Sequence, residues 1–323
     1  MTHAIRIHET GGPEVMRWEP VELNAPEAGE VQVRNTAVGL NYIDTYHRSG
    51  LYPLPLPSLL GQEGAGVVES VGSGVSGLRA GDRVAYATGP IGAYCEVRNY
   101  PADKLVKLPS GISDEIAATI MLKGMTAEYL LHRTAHVQSG DVILLHAAAG
   151  GTGVLVAQWA AEMGVTVIGV VSSEEKAEIA RQHGCQHVLI SGADNLAAQV
   201  LEITHGKGVK VAYDSVGKDT FEVTIESLMP CGMFVSFGQA SGPIPDINLR
   251  VFAPKNLYFT RPSLFVYTRT RELLEQSAAR LFDAVLSGVL TPQVRQSYAL
   301  QDAAQAHQEL ESRKTVGATV LTP

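Results

Sequence analysis

The chain has 323 residues, enough for about two domains with separate cores. Apolar residues make up 45% of it and charged residues 18%, which excludes a disordered or low-complexity chain. A formal net charge of −8 argues against a general nucleic-acid binder or a protein held on anionic lipid, while leaving room for a local basic pocket that takes one phosphate.

The opening MTHAIRIHETGGPEV alternates polar and apolar residues and lacks the apolar stretch of a secretion signal. No run approaches the roughly 18 apolar residues of a membrane span. Cys95, Cys185 and Cys231 lie far apart without paired spacing, the pattern of free or buried thiols in a reducing compartment. A cytoplasmic protein is expected.

Up to Ser113 the chain reads as short strands separated by turns: Ala4–His8, Val31–Val38, Gly66–Val71, Arg83–Tyr86 and Tyr94–Val97, punctuated by Gly11-Gly12-Pro13, Pro53–Pro57 and Gly81-Asp82. The rhythm then changes. Glu115–Leu122 and Met125–Arg133 are helical patterns, and strands alternate with helices afterwards. Strands are expected at Val142–His146, Val165–Val171, His187–Ile190, Val209–Asp214, Met233–Phe237 and Leu257–Thr260, with helices at Gly153–Met163, Glu174–His183, Leu196–His205 and Thr220–Leu228. The strands are runs of Val, Ile and Leu, as parallel strands covered on both faces should be, so the alternation predicts a doubly wound α/β sheet. Helices Arg271–Ser287 and Gln301–Ser312 and a strand Gly317–Leu321 form a tail too short for a third domain, and it is expected to pack back on the first.

The strongest chemical signal is Leu144-Leu145-His146-Ala147-Ala148-Ala149-Gly150-Gly151-Thr152-Gly153, where an apolar strand passes into a helix. Against the G-x-G-x-x-G template Ala148 takes the first glycine position, Gly150 the second and Gly153 the third. Gly150 lets backbone approach a pyrophosphate, and Gly153 lets the helix pack close to the strand. Gly151 and Thr152 lead into the helix, whose N-terminus offers free amides that favour an anion. The second strand ends in Ser172, not the Asp or Glu that usually holds the ribose hydroxyl of NAD. Lys176 follows within a turn, so NADPH is the expected cofactor.

Further landmarks are Asn41-Tyr42-Ile43-Asp44-Thr45-Tyr46, Arg48-Ser49-Gly50-Leu51-Tyr52-Pro53, Gly61-Gln62-Glu63-Gly64-Ala65-Gly66, Gln158 and Tyr213-Asp214-Ser215-Val216-Gly217. In this order and spacing the whole chain resembles the quinone oxidoreductases of the medium-chain dehydrogenase/reductase superfamily, close to bacterial NADPH:quinone reductases. The resemblance implies a β-rich, GroES-like catalytic domain over 1–122 and 263–323, a Rossmann domain over 123–262, and a pocket between them. It also makes an absence informative. Zinc-dependent relatives carry a cysteine near the position of Asn41 and a histidine where this chain has Gln62, and amides are poor zinc ligands. The His132/His136 and His183/His187 pairs lack a third ligand. No metal is expected.

The same resemblance implies that Asn41, Asp44, Tyr46 and Tyr52 surround nicotinamide and substrate, with Tyr46 or Tyr52 donating a hydrogen bond to a quinone oxygen. Lys123 and Tyr129 would lie near the cofactor. Val216, Phe237-Gly238-Gln239 and Pro262-Ser263-Leu264 sit at strand ends, where a doubly wound sheet binds its ligand. Arg313 resembles a residue that helps hold the 2′-phosphate, while a tyrosine after the third strand is replaced by Ser191. Reduction of a quinone is the expected activity; a 2-alkenal or enone reductase and a non-catalytic, RNA-binding crystallin-like NADPH binder are the alternatives. The net charge counts against the last, and no nucleic-acid partner is expected. A homodimer paired through the edge strand Leu257–Phe259 is implied by the family.

Overall fold

The computed structural model describes residues 1–323, which form two compact units: Met1–Met125 with Tyr267–Pro323, and Thr126–Val266. The divisions fall a few residues after the 122/123 and 262/263 positions expected from the sequence.

In the first unit one sheet runs in the order Val294–Ala299, Ala318–Thr322, Glu30–Gly39, Glu63–Val71, Arg83–Tyr86 and Val106–Lys107, and Val97–Pro101 also pairs with Glu30–Gly39. A smaller sheet joins Met16–Val21, Thr2–Ile7 and Ser58–Leu59. Alternation places Val31, Val33 and Ala37 in the interior, with Ile5, Ile7, Leu60, Tyr86, Tyr100 and Leu321 also fully covered. Each of the Val, Ile and Leu side chains among them contributes on the order of 1.5–3 kcal/mol by leaving water.

Among the local outcomes that differ from the sequence reading, three have a clear physical reason. Tyr94–Val97 is not a regular strand: Ile5 N–H donates to the Tyr94 carbonyl at 2.8 Å and Glu96 N–H to that of His3 at 3.0 Å, so the chain bends here and the strand starts at Val97. The two helices expected from Glu115 to Arg133 are one, Asp114–Tyr129, continued by a π-helical turn Leu130–Thr134. Gly124 does not break it; a Cβ there would meet Leu281 Cδ2 at 2.9 Å, so the glycine serves close packing against the helix Arg271–Leu286. An unforeseen helix, Tyr42–Ser49, is stopped by Gly50 in the left-handed conformation at φ 82°.

The second unit is a six-stranded parallel sheet in the order His187–Ile190, Thr166–Val171, Val142–His146, Val209–Asp214, Leu228–Ser236, Tyr258–Thr260. Helices Gly151–Glu162, Glu174–Gln182, Leu196–Ile203 and Phe221–Ser227 link the strands. Leu144, Ile168, Val170, Leu196, Val200, Ala212 and Phe234 form its apolar centre. From Val142–His146 the chain adds strands to one side, then crosses to Val209–Asp214 and adds them to the other. The reversal opens a switch point between these two central strands, the ligand-binding crevice of an open α/β sheet.

Candidate functional site

At that switch point the strand Val142–His146 delivers Ala147, held at φ 54°, and then Gly150, which is extended and caps the helix Gly151–Glu162. Gly153 is irreplaceable on steric grounds. A Cβ there would overlap the Ala147 carbonyl oxygen and stand 2.8 Å from that of Ala148. Ala148 is buried in the position the template gives to glycine. The neighbouring strand supplies the room, since a Cβ on Gly169 would lie 2.9 Å from the Ala148 methyl. The turn therefore keeps the close approach that a pyrophosphate needs, and the first amides of the helix stay available to it.

Across the switch point the strand Val209–Asp214 ends on a buried carboxylate. Asp214 Oδ1 accepts from the Val216 amide at 2.7 Å and the Gly217 amide at 3.2 Å, and Oδ2 from the Thr220 hydroxyl at 2.9 Å. This folds Val216 back over the strand end. The Ala240 amide then donates to the Ser215 carbonyl at 3.0 Å, and the Ser241 amide to that of Val216 at 2.8 Å. A Cβ on Gly238 would stand 2.7 Å from the Ser215 oxygen, so Phe237-Gly238-Gln239 and Val216 are brought into one crevice wall. Arg261 ties in the next segment, donating to Gln239 Oε1 at 2.9 Å just before Pro262-Ser263-Leu264. Ser172 is exposed at the end of the second strand; Ser173 caps the following helix by accepting from the Lys176 amide, which fixes Lys176 in its first turn. Tyr129 is buried at the end of its helix.

The first unit gathers polar groups in its interior. Asp44 reaches back to accept from the Asn41 amide at 2.9 Å, one half of a capping box for the helix Tyr42–Ser49. The Asn41 side chain donates to Glu63 Oε2 at 2.7 Å, the Lys123 ammonium meets the same oxygen at 3.2 Å, and the Leu122 amide donates to Glu63 Oε1 at 2.8 Å. Gly39 makes room for this: a Cβ there would press on Glu63 Oε2 at 2.6 Å. On the other side of Asp44 the Tyr94 hydroxyl lies 2.9 Å from Oδ2 and 3.1 Å from His307 Nε2, and Arg48 meets His307 Nδ1 at 3.0 Å. Burial pushes the Asp44 carboxyl up to about 7, aided by the Glu63 charge and opposed by the Asn41 amide, the Tyr94 hydroxyl and Lys123. Burial, with the Arg48 charge, drives His307 down to about 3.

Of the residues expected here, Asn41 and Lys123 thus meet on Glu63, and Asp44 joins them through the Asn41 amide. Tyr46 and Tyr52 pack edge-on with ring centroids 5.2 Å apart, beside it on the same helix and the turn after it. Arg313 is exposed in the first unit at φ 59°, whereas Ser172 and Lys176 belong to the second. Sequence reasoning missed Tyr94, His307 and the bonding role of Glu63. Only the helix Ala303–Glu311 carried a hint, because His307 shares the covered face with Ala303 and Ala306.

The donors present do not suit zinc. Asn41 is committed to Glu63, no three His, Cys, Asp or Glu side chains converge, His132 packs edge-on against Trp159, and His183 Nδ1 is bonded to Gln158 at 2.9 Å.

Residues 27–139 match the family described as alcohol dehydrogenase GroES-like domain, and residues 151–283 that described as zinc-binding dehydrogenase. A quinone oxidoreductase of Pseudomonas aeruginosa is 51% identical over 325 aligned residues, covering 100% of both chains. A 2-haloacrylate reductase of Burkholderia sp. is 45% identical, over 100% of this chain and 99% of that protein. The crystal structure of Escherichia coli quinone oxidoreductase complexed with NADPH superposes with a TM-score of 0.98 at 46% identity, over 99% of this chain and 100% of that one. No helix is long and apolar enough to cross a membrane.

Proposed function

We infer the activity from one premise: the chain belongs to the quinone oxidoreductase family of the medium-chain dehydrogenase/reductase superfamily. It is an NADPH-dependent quinone reductase that works without zinc. The observation that carries this is the full-length likeness to the NADPH-bound enzyme of Escherichia coli, and the Ala147–Gly153 turn has the room and the free amides that such a dinucleotide requires.

NADPH, when bound, supplies a hydride equivalent, and the protein contributes placement and proton control. The unit Thr126–Val266 serves as the dinucleotide-binding domain. Gly150, Gly151, Thr152 and Gly153 hold the pyrophosphate on main-chain amides, Ser172 and Lys176 take the 2′-phosphate, and Val216, Phe237–Gln239 and Pro262–Leu264 wall the nicotinamide side with Tyr129. The first unit serves as the catalytic domain. Tyr46 and Tyr52 line the quinone site, while Asn41 and Lys123 hold Glu63 and so fix the frame around Asp44. Asp44 holds the proton. A quinone that takes up hydride becomes a hydroquinone monoanion, and one proton from the Asp44 carboxyl completes the hydroquinone; the covered carboxylate left behind regains its proton from water that enters as the product leaves.

Purified protein mixed with NADPH and benzo- or naphthoquinones should consume NADPH, with NADH roughly tenfold or more poorer as donor. The absence of quinone-dependent oxidation across such a panel would overturn the assignment, and faster turnover on 2-haloacrylate or 2-alkenals would move it to enone reduction. The chain acts in the cytoplasm as a homodimer joined through the edge strand Tyr258–Thr260, where Tyr258 and Phe259 are exposed. Light scattering that finds a monomer would refute the pairing.

A further inference from the structure

One string of groups in the first unit has a fixed direction. Arg48 carries only donors, so His307 Nδ1, 3.0 Å away, accepts, and the single proton of the neutral ring sits on Nε2. That Nε2–H points at the Tyr94 oxygen at 3.1 Å, so the Tyr94 hydroxyl spends its own proton on Asp44 Oδ2 at 2.9 Å. Oδ2 also receives the Asn41 amide, whereas Oδ1 has no hydrogen-bond partner in the protein although it is fully covered. Arg48 is itself anchored: it donates to the Gly11 carbonyl at 3.1 Å and to Glu311 Oε1 at 2.7 Å, so the start of the string cannot swing away.

We propose that Arg48, His307 and Tyr94 are positioning residues that aim a one-way hydrogen-bond string at Asp44, reserve Oδ1 for the exchanged proton and set the pH range of quinone reduction. The proposal rests on the reading of Asp44 as the proton-holding group. The string delivers no proton of its own, because its far end is a guanidinium whose N–H groups only donate hydrogen bonds. Its work is to donate to the carboxylate form. The other groups facing Asp44 are the Asn41 amide, Lys123 from the helix Asp114–Tyr129 and Glu63 from its strand, and none of them belongs to the string.

Tyr94→Phe is the direct test, because it removes the last donor and keeps the ring. Two readouts are taken on the full-length protein. Infrared difference spectra, with Asp44→Asn locating the Asp44 carboxyl band, follow its titration; the midpoint should rise by roughly half to one pH unit in the Phe variant. The alkaline limb of kcat/KM for a benzoquinone should rise by the same amount. His307→Gln, which keeps a donor near the Nε2 position, should shift both less than His307→Ala. A band whose midpoint stays put in Tyr94→Phe overturns the proposal, even if turnover falls at every pH. A band that moves while Asp44→Asn retains the wild-type rate and pH profile keeps the string but removes Asp44 from the reaction, which overturns the control of quinone reduction and the reading of Asp44 beneath it.

Discussion

The second unit builds its strand-end turns from closely approaching main-chain groups, whereas the first holds its polar centre with side chains drawn from distant stretches. In the Thr126–Val266 unit the decisive residues are those without a side chain in the way: Gly150, Gly153 and Gly238 let backbone oxygens and amides come close. In the first unit the decisive residues are Asn41, Asp44, Glu63, Tyr94, Lys123 and His307, each covered and each bonded to another. A backbone site tolerates changes of charge nearby but no added atom. A buried side-chain network tolerates changes of shape better than the loss of one partner, because what remains is an uncompensated charge.

The sharpest way to break this contrast is Lys123→Met, which leaves the Glu63 carboxylate buried without its cation. Stability should fall by about 3–5 kcal/mol in urea unfolding, and adding Glu63→Gln should restore a large part of it. Gly153→Val should cost about 1–3 kcal/mol by overpacking and weaken NADPH at least roughly tenfold in a fluorescence titration, with no charge change able to rescue it.

Asp44→Asn probes the pH axis. The folded protein binds the Asp44 proton more tightly than the unfolded chain, so the contribution of this group is complete below about pH 4 and is lost as pH rises through about 7. The variant should therefore gain melting temperature relative to wild type as pH climbs across that window; a constant difference would contradict the raised value. Lys176→Ala should reduce the preference for NADPH over NADH by about three- to tenfold, as expected for an ion pair near water. Arg34→Ala marks the floor: its pair with Glu69 at 2.6 Å is exposed, and the change should stay under ~1 kcal/mol.

The contrast also explains what could be read from the residues alone. The sequence places the central strands Val142–His146 and Val209–Asp214, and the edge strand His187–Ile190, to the residue, because the strands of a parallel sheet read as mostly apolar runs joined by short helical links. The glycine turn was equally legible, since all its parts are consecutive. The first unit resisted. Tyr94 and His307 stand 213 positions apart and Arg48 and His307 stand 259 apart, and no local pattern announces such a bond. The strand Val294–Ala299 went unassigned because its sequence, VRQSYA, alternates only weakly and half of it faces solvent. Asn41 and Asp44 stand out by family likeness, although the capping residues around them, with Gly50 closing the same helix, also lie in the sequence itself.

The strand Ala318–Thr322 lies between Glu30–Gly39 and Val294–Ala299, pairing antiparallel with the first and parallel with the second. On the ribosome this sets an order of events. The sheet of the first unit keeps an open flank until Ala318–Thr322 emerges, by which time every residue of the Thr126–Val266 unit has been synthesised. A nascent chain stalled before Ala318–Thr322 would therefore carry a foldable Thr126–Val266 unit beside an unsealed one, a natural substrate for chaperones.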